Sequence, residues 1–213
     1  VHVSPNGANP TFTNFQSFVE INPPSPQAVG VAEATTAVKL NLYWSRAVSS
    51  AMVMPTIGAQ VDHYLSGVFA VRGCIKSGNP WNAQAGSTQA AVQTGVSAPG
   101  LTTTVDQSLV LFFVANTFDG ASEQMSSFTA PTDLDNFQQY TMPNVWQITQ
   151  GNGGGITVFG GIKRVAGPVN PLVCTLTNAS PQALISIALT PAVIGGGQAV
   201  VNVEQVSDFV TLS

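Results

Sequence analysis

Hydrophobic positions crowd most densely between Pro99 and Asn116, where PGLTTTVDQSLVLFFVAN passes from a threonine-rich approach into the most apolar stretch of the chain. In an extended chain Leu109, Leu111 and Phe113 share one face, and Val110, Phe112 and Val114 share the other. This stretch therefore predicts a strand buried on both sides, as at the centre of a packed sandwich. From Val38 the pattern alternates instead, with Val38, Leu40, Leu42 and Trp44 opposite Lys39, Asn41, Tyr43 and Ser45, which predicts a half-buried strand. A weaker strand is expected over Met52 to Ile57. Another runs from Tyr64 to Arg72, with Leu65, Gly67, Phe69 and Val71 on one face and Gly73 at its end.

Further short runs, β-branched or aromatic and bounded by Gly, Pro or Asn, predict strands at Asn144 to Gln150, Ile156 to Arg164, Leu172 to Asn178, Ala183 to Thr190, Ala199 to Val206 and Phe209 to Leu212. Gly78 to Gly95 carries Ala, Gln, Gly and Ser with no helical stripe and reads as a long loop, and Gly120 to Pro131 reads as a polar one. No long helix is expected. The pattern predicts an all-β fold, an antiparallel, jelly-roll-like sandwich of about ten strands.

Two segments divide the chain. Residues 1–37 are rich in Pro, Asn, Ser, Thr and Ala, with Pro23, Pro24 and Pro26 interrupting regular structure, and read as an N-terminal arm or edge segment. Within it Phe12, Phe15 and Phe18 recur every third residue, as an apolar clip against a neighbour would. Residues 38–213 form the sandwich. An internal repeat is expected in which 38–75 resembles 156–191: Arg46 aligns with Arg164, Pro55 with Pro171 and Phe69 with Ile187, while Asn14-Phe15-Gln16 recurs as Asn136-Phe137-Gln138. The counterpart of the apolar strand would then precede Val1, and since Val1 is not Met the expectation is a processed or truncated chain, simple removal of an initiator Met before Val1 being the alternative.

Composition narrows the class of function. Only 8% of the 213 residues are charged, against about 25% in ordinary soluble proteins, so a neutral polar surface is expected, suited to contact with other proteins. The six bases, Lys39, Arg46, Arg72, Lys76, Lys163 and Arg164, are scattered and the net charge is -4, which argues against nucleic acid as a partner. No apolar run reaches the eighteen or so residues of a membrane-spanning helix. Cys74 and Cys174 stand in no CxxC spacing and read as two buried thiols, a single bridge being the alternative.

Candidate chemistry is sparse. Asp62-His63 with Ser66 has the residue types of a hydrolase triad, but triad members meet through folding and no GxSxG elbow is present. Asp133, Asp135 and Asn136 alternate oxygen ligands as a calcium loop does, yet lack the remaining EF-hand ligands, so an Asx turn after Pro131 is the plainer reading. Gly151 to Gly155 and Gly195 to Gly197 read as hairpin connections, since neither is followed by Lys-Ser/Thr. No catalytic residue, metal ligand or cofactor is assigned. Among Trp44, Trp81, Trp146, Tyr43, Tyr64 and Tyr140, which together could stack a sugar, Trp81 is placed in a loop between Pro80 and Asn82 and is the candidate for a glycan or protein contact.

The segment Gly67 to Leu111, with GVFAVRG, then NPWNAQAG, then SAPGLTTTVDQSLVL, resembles jelly-roll or sandwich virion structural proteins of tailed bacteriophages. In that family a strand ending in Arg-Gly is followed by a Pro-containing loop, an Ala/Gly/Ser loop and a Pro-x-x-Thr-Thr-Thr approach to an apolar strand. The resemblance reaches Pro191 with declining clarity, and this chain lacks the family's opening strand and the Pro-x-Gly-Trp element after it. It implies a non-enzymatic module of the virion, a capsid decoration or tail accessory protein, whose partners are other virion proteins and copies of itself. The alternative is a carbohydrate-binding or host-adhesion module reading a host surface glycan.

Overall fold

The apolar run becomes the strand Ser108–Asn116, buried at every position. The computed structural model in which it is seen describes residues 2–4, 12–13, 17–21, 27–29, 37–49, 55–57, 64–117, 125–140, 155–194, 197–205 and 210–212. Gly155–Lys163 lies antiparallel along one side of the central strand, in unbroken register from Ser108↔Lys163 to Asn116↔Gly155. Leu172–Leu189 lies along the other, from Leu109↔Leu189 to Asn116↔Gln182. Asp135–Gln139 flanks the first neighbour and Trp81–Ala98 flanks the second, while Met125–Thr129 pairs with the opening residues of Leu172–Leu189.

A strand apolar on both faces needs a cover on each. On the face of Leu109, Leu111 and Phe113, the cover includes Ile21, Val29, Val38, Leu40, Leu42 and Val201. Three of these come from a second antiparallel sheet, ordered Val210–Leu212, Tyr64–Ser66, His2–Ser4, Val38–Asn41, Gln27–Val29. On the face of Val110, Phe112 and Val114, the cover is Val96, Ala98, Leu172, Cys174 and Leu176, with Met125 beside them.

That second cover comes from the strands of the large sheet itself. Trp81–Ala98 and Leu172–Leu189 form an 18-residue antiparallel ribbon, and its register is interrupted between Gln89 and Gly95. Such irregularities bend a ribbon and sharpen its twist. Beyond the bend the ribbon doubles back over the central sheet, and Ser186 Oγ donates to the carbonyl oxygen of Pro99 at 2.7 Å, pinning the returning end. At the neighbouring strand crossing Gly160 is required for close approach: a Cβ there would stand 2.6 Å from Val110 O.

The all-β sandwich follows the expectation, and the described residues contain no helix. They hold twenty-one strand segments, nine of them four residues or longer. Several boundaries are corrected. Gly78 to Gly95 is no loop: residues from Trp81 onward are strand, stabilised by pairing with the distant Leu172–Leu189 rather than by an apolar face of their own. Leu172 to Asn178 and Ala183 to Thr190 are one strand, because Asn178 to Pro181 bend it without ending it. The polar loop Gly120 to Pro131 contains the strand Met125–Thr129, and Asp135–Gln139 forms another. Asn144 to Gln150 lies outside the described residues, and of Met52 to Ile57 the segment Thr56–Ile57 is seen as strand.

Candidate functional site

Trp81 opens the ribbon as the first residue of its strand, and is not in a loop. Its ring meets Trp44 edge-on, centroids 5.6 Å apart, and both rings pack partly buried against the core. The Arg46 guanidinium lies 5.7 Å from the Trp44 ring centre and donates to the carbonyl oxygens of Ile75, at 2.5 Å, and Gly78, at 2.9 Å. One cation thus holds the 73–80 turn against an aromatic pair. Next in the chain, Asn82 Nδ2 donates to Ser108 Oγ and Thr190 Oγ1, and its Oδ1 accepts from Thr104 N–H. This corner fixes where the ribbon leaves the sheet, so Trp81 is a positioning residue as well as a contact candidate.

The bend is the second constructed feature. Gln182 is fully buried there, at the head of the apolar run Ala183 to Leu189. Its Nε2 donates to the carbonyl oxygens of Gly95 at 3.0 Å and Gln93 at 3.2 Å, supplying donors where the ribbon's own pairing is interrupted. Around it opens a cleft of about 500 Å³ whose lining includes Ser87, Thr88, Gln89, Ser97 and Thr175. These groups are hydroxyls and amides, with no ionisable side chain among the lining residues except Cys174. Sequence reasoning passed over Gln182; the available signal was a polar residue between Pro181 and the apolar run Ala183 to Leu189.

The acidic pair from the calcium-like loop faces cations of the protein itself. Asp133 Oδ2 accepts from Lys163 Nζ at 3.1 Å, and its carboxylate also faces Asn170 N–H. Asp135 pairs with Arg164. Asn136 adopts φ 52°, a turn-like backbone that Asn tolerates. Among the described residues no cluster of three His, Cys, Asp or Glu side chains is placed to hold a metal ion.

The cysteines are free thiols on opposite faces of the central sheet: Cys74 beside the first core cluster, Cys174 inside the second. Burial pushes the Cys174 thiol up to about 12. Burial also raises Cys74, against the opposing influence of Arg46. Asp62 and His63, Phe15, Trp146 and Gly151 to Gly154 lie outside the described residues. Phe12 is seen through its backbone, in Phe12–Thr13 paired with Thr56–Ile57, and Phe18 is half-buried.

Comparison of the chain with protein-family models, with curated proteins and with solved structures found no match.

Proposed function

We propose that this chain is a non-enzymatic structural protein of a bacteriophage virion, of the capsid decoration or tail accessory type, that acts by burying surface against other virion proteins. The observation that carries the reading is how the segment bearing the resemblance folds. Phe69–Arg72 ends at Gly73, whose φ of +87° turns the chain. The NPWNAQAG stretch starts the ribbon at the Trp81 corner, and Pro99 to Thr104 lead from the ribbon's returning end into the central strand. The quoted motifs are thus consecutive strands and turns of one sandwich, as expected of a module used for its shape. Its low charge, 8% of residues, supports the same reading by leaving contacts to neutral groups.

A test is quantitative mass spectrometry of purified particles. Stoichiometric amounts relative to a major capsid or tail protein support the reading, and absence from particles overturns it.

The uncharged cleft at the bend favours a second reading, a glycan-contacting module, because neutral hydroxyls and amides match sugar hydroxyls. Under that reading a glycan array gives a defined binder, and Gln89→Ala with Ser97→Ala weakens it while the fold persists.

A further inference from the structure

The longest strand at the margin of the large sheet is Trp81–Ala98, hydrogen-bonded on its inner side to Leu172–Leu189. Among the described residues no strand pairs with its outer side. Its register is regular from Ala83↔Ala188 to Gln89↔Gln182, so Ala83–Gln89 presents a straight edge whose outward N–H and C=O groups meet no strand among the described residues. That run is as long as or longer than an average strand of about five or six residues.

Proteins that keep such an edge single blunt it with Lys, Asp, Glu or Pro, or bulge it. Here no charged residue occurs between Lys76 and Asp106, and no proline between Pro80 and Pro99. The register shifts lie before Ala83, between Trp81 and Ala83, and past Gln89, leaving the straight part between them open.

We propose that the Ala83–Gln89 edge pairs antiparallel with the same edge of a second copy of this chain, joining two large sheets into one across a two-fold axis near Gly86. The absence of charge favours a second copy over an unrelated partner. At the two-fold axis Gly86 meets its own equivalent, so a charge at that position would repel itself and the uncharged run leaves the axis free of it, whereas an unlike partner is served equally well by complementary charges. Around Gly86 the facing pairs are Ala85 with Ser87, Gln84 with Thr88 and Ala83 with Gln89, all small or neutral polar. Gly86 and Thr88 are exposed, and Gly86 has no positive φ, so the position accepts other residues without backbone strain.

The inference deepens the interface-building role proposed above, and its test is independent of particles. Sedimentation of the full chain over a range of concentrations is expected to show a reversible dimer. Gly86→Lys and Gly86→Asp are each expected to weaken that dimer at least tenfold, with circular dichroism unchanged, and their equimolar mixture to restore it as a heterodimer. Hydrogen exchange on the unaltered chain supplies a second readout, with amides of Ala83–Gln89 gaining protection as concentration rises. A chain monomeric throughout, a dimer indifferent to both substitutions, or a dimer whose protection gain lies elsewhere overturns the proposal. A monomeric chain found on virions overturns edge pairing alone, whereas a paired chain absent from virions overturns the virion reading alone.

Discussion

Gln182 donates from Nε2 to the carbonyl oxygen of Gly95, 3.0 Å away across the bend of the long ribbon. This bond lets one two-stranded ribbon supply strands to two layers, because the bend interrupts backbone pairing and the buried amide offers a replacement donor. In Gln182→Leu the carbonyls of Gly95 and Gln93 lose that donor. Gly95 is exposed and Gln93 half-buried, so water reaches their carbonyls and the expected loss is about 0.5–1.5 kcal/mol, the net worth of one hydrogen bond. Urea unfolding reads it as a lower midpoint at an unchanged slope; an unchanged midpoint contradicts the role given to the bend.

Two glycines separate crowding from backbone strain. In Gly160→Ala the new Cβ lies 2.6 Å from Val110 O and 2.7 Å from Leu111 Cδ2, so the central strands must part, at about 1–3 kcal/mol or more. In Gly78→Ala the space is open and the φ of +71° alone is penalised, by about 1–2 kcal/mol. Thermal unfolding of both is expected to rank Gly160→Ala as the more damaging.

Phe159 is wholly buried and its ring stacks on Phe137 with centroids 6.0 Å apart, between the central sheet and the folded-back ribbon. Phe159→Ala is expected to destabilise the chain by about 3–5 kcal/mol, whereas exposed Val193→Ser changes stability by less than about 0.5 kcal/mol. Equal effects in denaturant titration would place the core elsewhere.

The thiols give a pH signature. Burial raises Cys174 from the ordinary 9.0 to about 12, so above pH 9 the unfolded chain releases a proton that the folded chain keeps. Its contribution to stability is therefore complete below about pH 9 and declines as pH rises from there towards about 12. Under native conditions iodoacetamide is expected to label Cys74, which is half-exposed, well before Cys174, which is 2% exposed. Peptide mapping reads the order, and simultaneous labelling contradicts it.

Ser108–Asn116 was legible in the sequence because apolar residues on both strand faces leave one environment, the middle of a sandwich. Trp81–Ala98 was not, because Ala, Gly, Ser, Thr and Gln give no apolar stripe; its strand form comes from pairing with Leu172–Leu189. The bend was hidden for a related reason: Asn178, Ser180 and Pro181 are residues that usually stop a strand, and only the returning layer turns that signal into a corner. At the candidate site, Trp81 was legible as an unusual aromatic, while its packing on Trp44 and the cation beneath depend on Arg46, distant in sequence.

The central claim is that this sandwich belongs to a virion as a shape-giving part. A cryo-electron-microscopy reconstruction of purified particles tests it most directly. The account predicts density in symmetry-related copies that fits the large sheet with its folded-back ribbon. A reconstruction in which every outer density is assigned to other chains, leaving none for this sandwich, would contradict it.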